Sequence, residues 1–509
     1  MPFITFKRNT YGKTFIKNVT GIPIKWNKYY IFVIVSQKLI KKDNLMERYD
    51  TSDKFAIWNY SKGILNKTLE EAVGRSLAED NSGKGKLGQM VERYFFGYEP
   101  NSDSTPDFHE AGVELKCTPL KELADKTLQI KERLVCSMID FSEDPKHSFR
   151  ESHVYIKCAI MLILFYLHKS GVPVHHLKFL YSVLWRIPEK DLLIMEQDYN
   201  KIIRKIKAGK AHELSEGDTT YLGACRKGQK GDVDVYYEYS DIPAPKRAYS
   251  LKPQYMRTVL DYVKNSGENA VVNMSAFVAG YAIDLVDADE LKNRLFEDIL
   301  LDRFNAYLGK RYDELCEEFG IAKSIAKSKY ALIANAILTD KGTRGEDVSE
   351  SDEFKKSGIR IKTIRIEHSG RPKEAMSFEN INYSEILEEE EWYESRLYEI
   401  FTSRFLFVVF RNHGTAKEQD YRLEKSFFWT MPYTDLIDAE KYWKNIKDNV
   451  AANHIQPEYF YKISDKKKFH VRPKGRNAAD TVKSPFGEQV KKYCYWFNTE
   501  YVQEIISNN

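Results

Sequence analysis

Asp107, Glu114 and Lys116 have the residue types and spacing that phosphodiester hydrolysis needs. At neutral pH that reaction calls for a metal ion to ionise a water and offset phosphate charge. Mg2+ prefers carboxylate, carbonyl and water oxygens in an octahedron. Glu114 and Lys116 stand two residues apart in GVELKCT (112–118), so on a strand both side chains leave the same face. Asp107, seven residues before Glu114 and just after Pro106, can arrive from a preceding turn to share the metal. The carbonyl of Leu115 is a natural further ligand. Lys116 would hold or polarise the attacking water and stabilise the pentavalent charge. The pair alone is common: Glu290–Lys292 and Glu353–Lys355 repeat it, and both are expected on solvated helix or loop surface.

The surrounding elements must place this string. In LGQMVERYFFG (87–97), Leu87, Val91, Tyr94 and Phe95 share one helical face, and Gly97 is the stop. Glu92 rides on that helix. GKGK (83–86) precedes it, with glycines that let backbone approach a phosphate. TLEEAVGRSL (68–77) is also patterned as a helix. GVELKCT alternates as a strand with one buried and one working face. MLILFYL (161–167) is expected as a buried strand, and QDYNKIIRKIKAG (197–209) as an amphipathic helix ending at glycine. Strands mixed with helices imply an α/β or α+β domain. Residues 1–55 are basic and aromatic, with strand-like stretches at 3–7 and 29–35. Met46 offers an alternative start, so this segment is read as an extension of unassigned role.

Composition bounds the function. The chain of 509 residues has 78 Lys and Arg against 74 Asp and Glu, a net charge of +4. That excludes a polybasic tail protein and an acidic solvating one, so an anionic partner must meet a local patch. Hydrophobic residues at 42% exclude a disordered chain. The six cysteines have no C-x-x-C spacing and read as reduced thiols of a cytoplasmic protein. The longest apolar run, Cys158 to Leu167, is ten residues, half of the roughly 20 that cross a membrane. No membrane partner is expected.

Patterns from the first half return in the second. LEEAVG (69–74) resembles LCEEFG (315–320), AGVELKCT (111–118) resembles SGIRIKTI (357–364), and YSLKPQYM (249–256) resembles YWFNTEYV (495–502). Arg226 finds Arg472 in HVRPK. All share one offset, 246, and VLWRIP (183–188) finds FFWTMP (427–432) at 244. Collinear matches at nearly one offset indicate an internal duplication. The expected organisation is an extension (1–55), a catalytic domain (56–270), a helical connector (271–300) and a degenerate second copy (301–509). Each copy is expected to be a mixed β-sheet flanked by helices.

GKGKLGQMVERYFFG, PDFHEAGVELKCTP, AHELSEG and RAYSLKPQYM together resemble the MutH-like branch of the PD-(D/E)xK nucleases. Within it they are most similar to GATC-cutting type II restriction endonucleases with two MutH-like halves. The resemblance runs from about residue 56 to the C-terminus. It implies Asp107 and Glu114 as metal ligands, Lys116 as the catalytic lysine, Glu92 as the helix glutamate and Lys157 in SHVYIKCA as an additional active-site lysine. It further implies DNA contacts from Lys84 and Lys86 before the helix, and from Arg226, Lys227, Arg247 and Lys252. Lysine and arginine contacts to phosphates would supply most affinity, and bidentate arginine–guanine contacts would read sequence.

At the repeat offset Glu114 becomes Arg360, Lys116 becomes Lys362 and Asp107 becomes Glu353. Glu92 falls on Ala334 or Leu338, and Lys157 near Ile400 or Phe401. An arginine where a metal-binding glutamate belongs should repel Mg2+, so the second copy is expected to be catalytically dead. Its basic residues Lys466, Lys467, Lys468, Arg472, Lys474 and Arg476 fit an effector DNA site, as in type IIE enzymes.

The expected activity is Mg2+-dependent double-strand cleavage at GATC, 5′ of the G. The expected partners are double-stranded DNA, a second DNA site or a second copy on DNA, and a cognate methyltransferase. The rivals are a mismatch-repair-type nickase and a non-catalytic DNA-binding regulator. His175–His176 lacks the spacing of a metal cluster and is expected to flank a helix. AHELSEG is not the H-E-x-x-H of a zinc protease, and GKGKLG lacks the ending of a P-loop.

Overall fold

The computed structural model describes residues 48–77, 86–100, 105–123, 125–227, 233–267, 284–326, 328–339, 347–477 and 479–509, with backbone alone at 22–26, 29–33 and 86. The strands Ile22–Trp26 and Tyr29–Val33 form an antiparallel pair. The strand expected at 3–7, Met46 and Lys84 lie outside the described residues.

In the first lobe, helix α1 (Leu69–Val73) starts at a capping box in which Thr68 and Glu71 satisfy each other's backbone N–H. It is shorter than its sequence pattern because Gly74 takes a left-handed conformation, φ 69°, and ends it. Helix α2 (Lys86–Met90) runs on as a π-helical turn over Val91–Phe96 and stops at Gly97, φ 85°. There follow β1 (Glu114–Glu122), β2 (Leu134–Met138), α3 (His153–Cys158), β3 (Ile160–Leu167), β4 (Lys178–Arg186), α4 (Glu189–Lys207), β5 (Leu222–Arg226), β6 (Arg247–Leu251) and α5 (Pro253–Ser266). Strand β1 lies parallel to β3, with Glu114 opposite Met161, and β3 is antiparallel to β4. A separate sheet holds β6 antiparallel between β2 and β5.

The second lobe repeats this plan. Strands β7 (Arg360–Ile366), β8 (Met376–Asn380), helix α6 (Arg396–Phe401), β9 (Phe405–Asn412), β10 (Tyr421–Trp429), helix α7 (Tyr433–Ala451), β11 (Phe469–Pro473), β12 (Tyr493–Phe497) and α8 (Thr499–Ser507) follow in the same order. Strand β7 is parallel to β9, with Arg360 opposite Phe405, β9 is antiparallel to β10, and β12 lies antiparallel between β8 and β11. Helices α4 and α7 are each 19 residues long and each follows a proline. The fold is therefore α/β, two tandem copies of one mixed-sheet unit, as the collinear matches implied. One match shifts in detail. Arg226 pairs with Arg247 across its sheet, whereas Arg472 pairs with Cys494, one residue beyond the position that the repeat offset assigns to Arg247. Arg472 faces solvent where Arg226 is half-buried, while Cys225 and Val471 before them are buried alike.

Two boundaries move. Tyr49, placed in the extension by sequence, packs against Tyr60, Phe96 and Phe108 and donates its hydroxyl to the Phe96 carbonyl at 3.0 Å. The core of the first lobe therefore takes in residues before 56. The segment expected as a connector is partly core as well. Its helix Phe296–Asn305 buries Phe296, Ile299, Leu300 and Phe304 in a cluster shared with Leu120 and Phe165 of the first lobe and Leu406 and Val408 of the second.

Gly217, from AHELSEG, packs tightly against the second lobe. Its carbonyl accepts the Thr430 hydroxyl at 2.6 Å, and an added Cβ would lie 2.5 Å from Thr430 Cγ2 and 2.8 Å from the Thr402 carbonyl oxygen. Gly217→Ala is expected to lower stability by about 1–3 kcal/mol through overpacking of this seam, measured by denaturant unfolding. Unchanged stability would show that the seam yields freely.

Candidate active site

The working face of β1 is assembled from three directions. Phe108 and Val113 form an isolated antiparallel bridge that folds Asp107 back onto the start of β1. Asp107 Oδ2 accepts the Leu115 N–H at 2.9 Å, and the Asp107 N–H points to Glu114 Oε2 at 3.3 Å. Lys116 Nζ lies 2.8 Å from Glu114 Oε1 and 3.2 Å from the carbonyl of Cys136 on β2. Lys157, late in α3, brings its Nζ to 3.6 Å from the same Glu114 oxygen. Glu92 sits in the π-helical turn, an irregularity often found at functional sites. Charge interactions with Asp107, Glu114, Lys116 and Lys157 all bear on its ionisation.

All five residues named from sequence are thus brought together. Burial, reinforced by Asp107 and Glu114, pushes the Glu92 carboxyl up to about 7. Burial and then Glu114 push Asp107 up to about 6. Burial pulls Lys116 down, but the Cys158 sulfur and the Glu114 carboxylate outweigh it and hold the ammonium above its ordinary value. Three crowded carboxylates, two of them with raised proton affinity, make a site short of positive charge. Their donors are all oxygens, which suits a hard divalent cation such as Mg2+.

Two contributors were not legible in sequence. The Cys136 carbonyl anchors Lys116 but is a backbone atom on a strand 20 residues away. The buried hydroxyl of Tyr98 has no hydrogen-bond partner among the described residues, and it titrates well above its usual value through burial and then the charges of Asp107 and Glu92. Standing next to Gly97 was its one sequence signal.

The second lobe keeps the frame and reverses the charge. Lys362 Nζ donates to the Ser377 carbonyl on β8 at 2.9 Å, as Lys116 donates to that of Cys136 on β2. Arg360 Nη1 pairs with Glu379 at 2.9 Å, and Arg396 from α6 reaches the same carboxylate at 2.8 Å. Burial, then Arg360 and Lys474, pushes Lys362 down to about 8. Ser152 and Ser395 cap α3 and α6 alike, so Lys157 corresponds to Ile400, which is fully buried. Ala334 and Leu338 are buried too. The expectation for Glu353 needs correction. It is not on solvated surface: it is fully buried, ion-paired with Lys190 at 2.6 Å, and accepts the Val286 N–H at 3.0 Å. Those partners saturate its carboxylate. Lys292, by contrast, is 58% exposed, as expected for the Glu290–Lys292 pair.

The candidate DNA contacts divide. Lys86 opens α2, and Lys227 is exposed. Arg226 donates to the Tyr393 hydroxyl at 2.7 Å and lies over that ring, bridging the lobes. Arg247 and Lys252 are corrected, since both are buried. Arg247 sits on the central strand of its sheet and donates to the Ala224 carbonyl at 3.2 Å. Lys252 caps α5, donates to the Thr219 carbonyl, and is pushed down to about 8 by burial. In the second lobe Lys466, Lys467, Arg472, Lys474 and Arg476 are exposed. Arg472 lies over the Trp496 ring and Lys467 over Tyr461. Lys468 is instead drawn inward to Asp435.

All six cysteines are free thiols, and no helix among the described residues is long and apolar enough to cross a membrane. The family model described as DNA mismatch repair enzyme MutH matches the chain twice, at residues 96–198 and 346–439. The chain is 31% identical over 500 residues to the type II restriction enzyme Sau3AI of Staphylococcus aureus, covering 88% of this chain and 99% of that protein. The DNA mismatch repair protein MutH of Shewanella woodyi is 27% identical over 132 residues, 26% of this chain and 55% of that protein. That of Shewanella amazonensis is 27% identical over 157 residues, 30% of this chain and 66% of that protein.

Proposed function

The chain belongs to the MutH-like nuclease family and is a type II site-specific deoxyribonuclease; we propose that it cuts both strands of DNA at GATC, 5′ of the G, with Mg2+ as its metal. The observation that carries the reading is the convergence of Glu92, Asp107 and Glu114 with Lys116 and Lys157 on one face of β1. Asp107, Glu114 and the Leu115 carbonyl would hold the ion, which when bound supplies a more acidic water and offsets phosphate charge. Lys116 is clamped by Glu114 and the Cys136 carbonyl and stays protonated. It would orient the attacking water and stabilise the phosphorane charge. Lys157 adds a second cation on the same carboxylate. Glu92, poised near neutrality, can accept a proton from the water shell.

The second lobe serves in this reading as an effector DNA site. Its metal position is filled by Arg360 and Glu379, while Arg472, Lys474 and Arg476 remain at the surface. A plasmid with two GATC sites is expected to be cut about tenfold faster than one with a single site. Neutralising Arg472 and Lys474 together should remove that difference. Equal rates on both plasmids for the unaltered protein would overturn the effector role. Digestion of methylated and unmethylated plasmid tests the site and the expected methyltransferase partner together. Linear product supports a restriction enzyme, whereas accumulation of nicked circles would support the repair-type nickase.

A further inference from the structure

Glu70, His175 and His176 converge although Glu70 lies 106 residues before His176 in the chain. Glu70 Oε2 is 2.8 Å from His176 Nε2 and Glu70 Oε1 is 3.9 Å from His175 Nε2. One ligand atom from each residue lies within 4.8 Å of the other two. The adjacent histidines occupy a single turn, Val174–His176, with ring planes inclined at 71°, so both can face one point. With metal bonds of about 2.0–2.2 Å in a tetrahedron, donor atoms sit roughly 3.3 Å apart. The two separations, one to each oxygen of the Glu70 carboxylate, lie on either side of that value.

We propose that these three residues form a transition-metal site suited to Zn2+, separate from the nuclease centre, that clips α1 to the turn before β4. Two imidazoles and a carboxylate are a zinc donor set, whereas the oxygen-only nuclease centre favours Mg2+. Glu70 is held in place, its Oε1 accepting the Leu77 N–H at 2.5 Å. His175 is almost fully buried, and its Nδ1 has no hydrogen-bond partner among the described residues. The other ring nitrogen, Nε2, stops 3.9 Å from Glu70 Oε1, beyond hydrogen-bonding distance, and an ion between them would bridge that gap. The clip closes a seam already stitched by backbone bonds between Asn66 and Phe179 and between Phe179 and Lys67. Water would complete the fourth position, because the His176 side chain is 48% exposed.

The test uses the full chain carrying Glu114→Ala, which weakens metal binding at the nuclease centre. Titration with Zn2+ should reveal one ion that excess Mg2+ does not displace, with a rise in Tm. Substitution by Co2+ should give the intense visible absorption of a four-coordinate site. Adding His176→Gln, at a half-exposed position that leaves folding intact by circular dichroism, should weaken Zn2+ binding by at least about tenfold. Glu70→Gln should do the same. Zn2+ binding that is absent, displaced by Mg2+, or unchanged by His176→Gln overturns the proposal. The readout is binding rather than cleavage, so its failure leaves the nuclease reading untouched.

Discussion

Glu114→Ala is expected to reduce DNA cleavage roughly a thousandfold or more while leaving DNA binding intact in Ca2+. Glu114 is the hub of the site, buried at 3% exposure and facing Asp107, Lys116 and Lys157. Its removal takes away one metal ligand and also the acceptor that orients both lysines. The lysines themselves remain, so attraction for phosphate is retained or strengthened once their internal counter-charge is gone. Cleavage and affinity should therefore separate, which a general folding defect would not produce. Plasmid cleavage in Mg2+ and gel shifts in Ca2+ measure the two quantities on one preparation. Cutting by this variant at the unaltered rate would remove the proposed centre.

The candidate site was readable because its residues are local. Asp107, Glu114 and Lys116 lie within ten residues, and strand alternation alone puts the last two on one face. The duplication was readable for a related reason: glycine stops, prolines before helices and strand patterns recur at nearly one spacing. The DNA-contact assignments were less legible. Arg247 and Lys252 look like Arg226 and Lys227 in sequence, but β6 is the middle strand of its sheet and Lys252 lies beneath the start of α5. A basic residue's exposure depends on which strand is central, and that is fixed by pairing partners far along the chain. Glu353 failed likewise, since its partners Lys190 and Val286 come from elsewhere in the fold. The Glu70–His175–His176 group was invisible for the same reason. Adjacent histidines have no metal spacing of their own, and their third partner is supplied by the helix packed beside them.

Asp107→Asn should abolish cleavage and stabilise the metal-free protein. Burial and Glu114 raise the Asp107 acid from 3.8 to about 6, so the folded state holds this proton more tightly than the unfolded chain. Stability linked to the group is then present at low pH and lost as pH climbs from about 4 through 6. Above that window the ionised side chain opposes folding by on the order of 3 kcal/mol. Asparagine keeps an oxygen for the Leu115 N–H and removes the charge. In EDTA at pH 8 the variant should gain about that much stability in urea unfolding, and at pH 4 the gain should shrink towards zero. Saturating Mg2+ should close the gap from the other side, because only the unaltered centre would gain from the ion. A variant less stable than its parent at pH 8 in EDTA would mean that Asp107 serves the fold through Leu115, and that the carboxylates are not held together against their own repulsion.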